Sequence, residues 1–265
     1  MLKNGCVTLG GTEMYYVSFG RGSKKLVVLP GLSDGLATVK NKAWLLAAPY
    51  RKFLRDFTVY MFSRKNNMPQ EYSIADMADD QALAMEKLGI DKACVLGVSQ
   101  GGMIAQLLAI RHPEMVERLI LAVTASNAND VVKSAVSAWI DMANRGDHRA
   151  LMVDTAEKTY SDSYLQKNRK LFPLLAKVTK PADYDRFLKN AQAILRFDAR
   201  GELSKIHCPT LILAGGDDKT VGKEAPRELK KGIANSELMI YEHLGHGAYE
   251  EANDFYDIVF AFCDR

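Results

Sequence analysis

The chain has 265 residues, 48% of them hydrophobic and 25% charged, enough to bury the core of one large domain or of a domain with an insertion. Its formal net charge of +3 is too small to suggest nucleic acid or an anionic membrane as a partner. No stretch is apolar for long enough to span a bilayer, no signal-peptide core is visible, and Cys6, Cys94, Cys208 and Cys263 lack close spacing and read as small hydrophobes rather than disulfide partners, so a cytoplasmic protein is the default expectation.

Residues 6–9 and 13–19 flank Gly10-Gly11 and predict an antiparallel hairpin at a sheet edge. Residues 25–29 form a short apolar strand, followed by Pro30-Gly31-Leu32-Ser33-Asp34-Gly35. A glycine-bearing loop after a buried strand lets backbone N–H groups approach a ligand. It lacks the spacing and lysine of a phosphate-binding loop, which sets nucleotide binding aside. A helix that Pro49 can break or delay is expected over 44–54, and a strand over 57–62. Ser73 and Asp76 form a cap signature for a helix over 74–88 that stops at Gly89. Asp76, Asp79 and Asp80 in its first turns suit the helix dipole and are expected to face water rather than hold a metal.

The next segment organises the chain. A buried strand over 93–98 runs without a linker into an apolar-rich helix over 103–110 that ends at His112-Pro113. Between them lies Gly97-Val98-Ser99-Gln100-Gly101, a G-x-S-x-G pattern in strand–turn–helix context, which is a nucleophile elbow. Strand and helix come so close at such a turn that only small residues fit two positions before and after the serine; Gly97 and Gly101 supply them. The hydroxyl of Ser99 is then held at the carboxyl end of a strand, beside the free N–H groups of a helix N-terminus.

Another buried strand spans 119–123, and then the strand–helix alternation stops. Helical patterns at 131–142, 148–160, 164–175 and 182–197 read as a block inserted between two core strands, a cap over the site. The expected division is a core of 1–128 and 201–265 with a cap of 129–200. Trp139, Met142, Met152, Tyr160, Tyr164, Phe172 and Phe187 either pack these helices together or roof an apolar pocket. The core resumes with a strand over 209–214, followed by Gly215-Gly216-Asp217-Asp218, a helix over 224–233 and a last strand over 237–241. A loop holding His243, Gly245, His246 and Gly247 leads into a closing helix over 249–262.

A serine hydroxyl needs a base to take its proton. Of the five histidines, His112 lies at the far end of the elbow helix, His148 in the cap and His207 before a strand, at the wrong edge of the sheet. His243 and His246 follow a strand and share the edge with Ser99, and His246, between two glycines, is favoured. Asp217 and Asp218 are both placed to orient it and to support an imidazolium. The order serine, aspartate, histidine is the one associated with this elbow. The backbone N–H groups of Gln100 and Leu32 are expected to form an oxyanion hole, with no part for the Gln100 side chain.

With these residues in place the sequence resembles the α/β-hydrolase fold family over essentially its whole length, in particular its small members with a helical cap. The resemblance implies an eight-stranded, mostly parallel sheet with the second strand antiparallel. It selects Asp218 over Asp217, because the family places its acid three positions after the first glycine of the motif. Pro30-Gly31 stands where relatives usually have His-Gly, and Phe62-Ser63-Arg64-Lys65-Asn66-Asn67 departs from their Asp-x-Arg-Gly-x-Gly loop, keeping only the arginine. The activity implied is hydrolysis of a small or medium carboxylic ester, or a related acyl bond, through an acyl-serine. It calls for a small-molecule acyl substrate, no metal and no organic cofactor, and leaves room for a homodimer. Hydrolysis of carbon–carbon bonds in vinylogous diketones uses the same groups and asks for basic cap residues, for which Arg145, Arg149, Arg169, Arg186, Arg196 and Arg200 are available. Acyl transfer, lactone hydrolysis, aminopeptidase activity and a receptor that keeps the three residues are the other readings.

Overall fold

Burial with a period of two gives the sheet two core faces. Along residues Ala93–Val98, Ala93 and Val95 enter one apolar layer while Cys94, Leu96 and Val98 enter the other. The computed structural model describes all residues from Met1 to Arg265. Its strands are β1 (Leu2–Leu9), β2 (Thr12–Gly20), β3 (Lys24–Leu29), β4 (Phe57–Lys65), β5 (Ala93–Val98), β6 (Val116–Ala122), β7 (Thr210–Gly215) and β8 (Ser236–Tyr241). They form one eight-stranded sheet in the order β1-β2-β4-β3-β5-β6-β7-β8. Only β2 runs antiparallel to its neighbours, β1 and β4; every other pair is parallel. The expected hairpin and each expected core strand are present.

Helix ends follow local chemistry. The expected helix over 44–54 is instead α1 (Ala43–Leu46) and a 3-10 segment, Ala48–Phe53, because Pro49 cannot donate to the preceding turn. α2 (Ile74–Lys87) opens with a capping box between Ser73 and Asp76. α3 (Gln100–Arg111) starts at the residue after Ser99. Met77 and Met85 of α2 and Ile104 of α3 fill one face of the sheet, together with Val27 and Val95.

Between β6 and β7 lie α4 (Asp130–Asn144), α5 (His148–Thr159), α6 (Asp162–Asn168), α7 (Phe172–Thr179) and α8 (Asp185–Leu195). Asn129, Asp147 and Ser161 cap the first three through side-chain oxygens. The expected helix over 164–175 is split by a 3-10 turn, Arg169–Leu171, ahead of Pro173 in the first turn of α7. The one expected over 182–197 begins only at Asp185, whose N–H bonds the Asp183 side chain. The insertion leaves and rejoins the core side by side. Ala128 N–H donates to Phe197 O at 2.9 Å and Ala199 N–H to Ser126 O at 2.8 Å.

After β7 come α9 (Ala225–Gly232), α10 (Ala248–Glu251) and α11 (Phe255–Asp264). The last two replace the single closing helix expected over 249–262; the break falls at Ala252-Asn253-Asp254, where Asn and Asp disfavour a helix interior. Ala43, Phe255, Val259 and Phe262 cover the second face of the sheet, against Leu26, Cys94 and Leu96. No helix is long and apolar enough to cross a membrane.

Candidate active site

Ser99 sits where β5 turns into α3, with φ 53° and ψ −118°, in the left-handed region that a side chain rarely adopts. Surrounding bonds hold it there. Its N–H donates to Ala122 O at 2.9 Å, and its carbonyl accepts from Thr124 Oγ1 at 2.7 Å and from Gly102 N–H at 2.8 Å. A Cβ at Gly97 would meet Gly101 O and Ala105, and one at Gly101 would run into the carbonyl of Leu29. Backbone cannot swing aside as a side-chain tip can, so Gly101→Ala is expected to cost more than about 3 kcal/mol. In calorimetry that lowers the unfolding midpoint by roughly 6–12 °C, and a midpoint within about 2 °C of the parent would contradict the packing.

The structure brings Ser99, His246 and Asp218 together. His246 Nε2 lies 2.9 Å from Ser99 Oγ, and His246 Nδ1 lies 2.8 Å from Asp218 Oδ2. The other carboxylate oxygen of Asp218 accepts from the N–H groups of Thr220 at 2.8 Å and Val221 at 2.9 Å. Those bonds fix the plane of the carboxylate, and the carboxylate fixes the ring. Both His246 and Asp218 are buried, at 7% and 4% exposure. The alternatives lie elsewhere: Asp217 is exposed and pairs with Lys223, His243 is exposed, and His112 bonds Asp79. A surface cavity of about 550 Å³ lined by Phe19, Trp44 and Arg51 contains none of the three residues, so chemistry rather than volume locates the site.

Leu32 and Gln100 each open a helical segment, so their N–H groups have no partner in a preceding turn. A Cβ placed on Gly31 would be 3.8 Å from Ser99 Oγ, which measures how closely this loop passes the hydroxyl. Beneath it lies a polar network that the sequence reading missed. Arg64, 1% exposed, donates from Nη2 to Pro30 O at 2.7 Å and to Gln100 Oε1 at 3.0 Å. Gln100 Nε2 donates in turn to Asn190 O at 2.9 Å, so the side chain expected to be idle bridges core and insertion. Asp34 Oδ2 accepts from Arg64 N–H at 3.0 Å and from Arg186 Nη2 at 2.7 Å. Burial alone would raise the Asp34 carboxyl, but the Arg186 and Arg64 guanidiniums outweigh it and hold the group below the usual carboxylate range. The one signal in the sequence was the arginine kept in a loop that otherwise departs from the resemblance.

The insertion also touches the histidine loop. Gly247 N–H donates to Thr159 O at 2.6 Å, Tyr160 Oη donates to Glu250 at 2.6 Å, and Ser161 N–H donates to Glu251 at 3.0 Å. Trp139 is buried and donates to Asp154 at 2.7 Å. Of the three acids in the first turns of α2, Asp76 is exposed as expected, whereas Asp79 and Asp80 are half-buried and paired. Asp79 pairs with Arg111 and His112, and Asp80 bonds Tyr72 and Lys65 in a half-buried cluster, because α3 and β4 bring cations against that face.

The sequence model of the alpha/beta hydrolase fold matches residues 26–253. The chain belongs to the alpha/beta hydrolase fold family. The proposed carbamate hydrolase RutD of Pseudomonas syringae pv. syringae is 27% identical to it over 205 residues, 73% of this chain and 78% of that one. The 2-hydroxy-6-oxononadienedioate/2-hydroxy-6-oxononatrienedioate hydrolase 2 of Pseudomonas putida is 27% identical over 263 residues, 94% and 91% of the two chains. Among solved structures, MGS-M2, an alpha/beta hydrolase enzyme from a Medee basin deep-sea metagenome library, superposes with a TM-score of 0.86 at 21% identity, covering 98% of both chains. Fold and hydrolase relatives together support an enzyme. Within the alpha/beta hydrolase fold, Ser99, Asp218 and His246 each follow a different strand, β5, β7 and β8. Parallel strands bring their carboxyl ends to one edge, which is why residues 147 positions apart in sequence meet.

Proposed function

We propose that this protein is a serine hydrolase that cleaves a small or medium carboxylic ester, or a related acyl bond, through an acyl-serine intermediate. The observation that carries the reading is the hydrogen-bonded series from Ser99 Oγ through the His246 ring to Asp218. His246 Nε2 takes the proton of Ser99 as Oγ attacks the acyl carbonyl, and the Asp218 carboxylate supports the imidazolium that forms. The N–H groups of Leu32 and Gln100 stabilise the oxyanion of the tetrahedral intermediate. As this collapses, the bond to the leaving alkoxide breaks and His246 returns the proton to it. Water then attacks the acyl-serine by the same route in reverse, giving the acid and free Ser99. Residues 129–200 act as the cap and residues 1–128 with 201–265 as the core. The substrate is a small acyl compound, which the underside of the cap selects.

Hydrolysis of carbon–carbon bonds in vinylogous diketones is the second reading, favoured by the similarity to the Pseudomonas putida protein over 94% of this chain. Against it, three of the six cap arginines are already engaged: Arg186 by Asp34 and the carbonyls of Arg64 and Lys65, and Arg169 and Arg200 by Glu157 and Asp198, which leaves Arg145, Arg149 and Arg196 without an acidic partner. A panel of p-nitrophenyl esters of rising acyl length, run beside a chromogenic vinylogous diketone, separates the two. Ester turnover with a fluorophosphonate label mapped to Ser99 is the expected result. Diketone cleavage without ester turnover would reverse the ranking. Absence of both turnover and label, with retention of a small ligand, would point to a receptor.

A further inference from the structure

The outer surface of the helical insertion carries a patch that chemistry at Ser99 does not use. Leu171, which caps α7, and Leu174, Leu175 and Val178 within it recur at helical spacing and are 45–80% exposed. The opposite face of the same helix is already committed. Phe172 stacks on Tyr160 with ring centroids 5.7 Å apart, and Thr179 Oγ1 lies 3.1 Å from His148 Nε2. The apolar stripe is therefore held outward on a fixed platform.

Cations surround the stripe. Between residues 162 and 182, Lys167, Arg169, Lys170, Lys177 and Lys180 stand against one carboxylate, Asp162, giving +4 locally where the whole chain has +3. The rest of the protein is thus slightly acidic. Of these five cations only Arg169 is paired with a neighbouring acid, Glu157. Beside the leucines, Arg149, Lys177 and Lys180 open onto a cavity of about 410 Å³ backed by His148 and walled by Pro173 and Leu174; its one carboxylate, Asp147, accepts from Ala150 N–H as a helix cap, which leaves three cations against one acid.

We propose that this face docks the protein peripherally on an anionic phospholipid surface, with Leu171, Leu174, Leu175 and Val178 in the acyl boundary and a headgroup phosphate between Arg149, Lys177 and Lys180. A lipid surface satisfies both halves of the patch at once: apolar depth for the branched side chains, and spread negative charge for the exposed lysines that alternate with them in sequence. A second copy of this chain satisfies only the apolar half, because face-to-face pairing brings Lys170, Lys177 and Lys180 of both copies together. The whole-chain charge of +3 does not reveal the patch because a sum says nothing about where along the chain the cations lie.

Flotation of the full-length protein with vesicles of phosphatidylcholine, with and without phosphatidylglycerol, tests the assignment. Binding is expected only to the phosphatidylglycerol vesicles and is expected to weaken as salt rises. Each cation at such a surface contributes about fivefold in partitioning, so K177E/K180E should lower binding by at least about 30-fold. L174S/L175S should also abolish it, and both double variants should unfold at the parent's temperature because they change exposed side chains only. Equal binding to neutral vesicles, no binding to anionic ones, or binding untouched by both variants overturns the proposal. A dimer in sedimentation velocity that L174S/L175S dissolves, without vesicle binding, assigns the face to a second copy and overturns it too. So does stabilisation by inorganic phosphate that K177E/K180E removes while vesicles are ignored, which assigns the cavity to a free anion.

Discussion

Replacing Ser99 with alanine is expected to lower kcat on the best ester by at least about 10³-fold and to leave the unfolding midpoint unchanged or raised. The reasons are separate. Chemistry loses its nucleophile, so no acyl-serine forms and only polarisation of the carbonyl by Leu32 and Gln100 remains. Packing loses one oxygen, and the strained backbone at Ser99 is fixed by main-chain bonds and Thr124, which alanine keeps. His246→Ala should be equally damaging, and a Ser99→Ala/His246→Ala double variant no worse than either single one, because the two groups act as a unit. Asp218→Asn is expected to cost about 10⁴-fold, since an amide stabilises the wrong ring tautomer while still accepting from Thr220 and Val221. Steady-state kinetics at protein concentrations fixed by absorbance measures all four. A His243→Ala variant as inactive as His246→Ala would remove the assignment of the base.

Arg64→Met should be the most destabilising of the non-catalytic changes, by roughly 3–5 kcal/mol. Methionine fills similar space but leaves the Asp34 carboxylate with Arg186 as its only cation, and leaves Pro30 O and Gln100 Oε1 without their donor. For a chain of this size the unfolding midpoint should fall by roughly 10 °C. If the oxyanion reading is right, kcat should fall while KM changes little, because Arg64 bridges the two segments that supply the N–H donors. A variant as stable as the parent would show that the network is not a supporting element. The pH dependence follows from Asp34. Its carboxyl is held below its unfolded value, so the network's contribution is present above about pH 4 and is lost as pH falls through the lower folded value. The stability gap between parent and Asp34→Asn should therefore be wide at neutral pH and close in acid. A gap constant from neutral pH down to strong acid would mean that Asp34 is uncharged in the folded protein.

Much of the fold was legible because the cues are local. Apolar runs of strand length, glycine turns and the Ser73–Asp76 box specify elements from residues that are neighbours in sequence. The elbow was legible for the same reason: Gly97, Ser99 and Gly101 lie within five residues, and their crowding follows from a single turn. The exact ends of the helix breaks at 47, 169–171 and 252–254 were less legible, although Pro49, Pro173 and Asn253-Asp254 stand beside them, because a proline or an Asn-Asp pair disfavours a helix interior without fixing the residue at which the helix stops.

By itself the sequence determined the class of architecture and nominated one nucleophile, two residues for the base and two for the acid. Only the tertiary structure decided that His246 and not His243 lies 2.9 Å from Ser99, and that Asp218 rather than the exposed Asp217 faces the ring. It alone joined Asp34, Arg64, Gln100, Arg186 and Asn190 into one network. The physical reason is the same in each case. A turn or a helix stores its energy in contacts a few residues apart, whereas a hydrogen-bonded triad and a buried ion pair depend on distances that exist only once remote segments have been brought together.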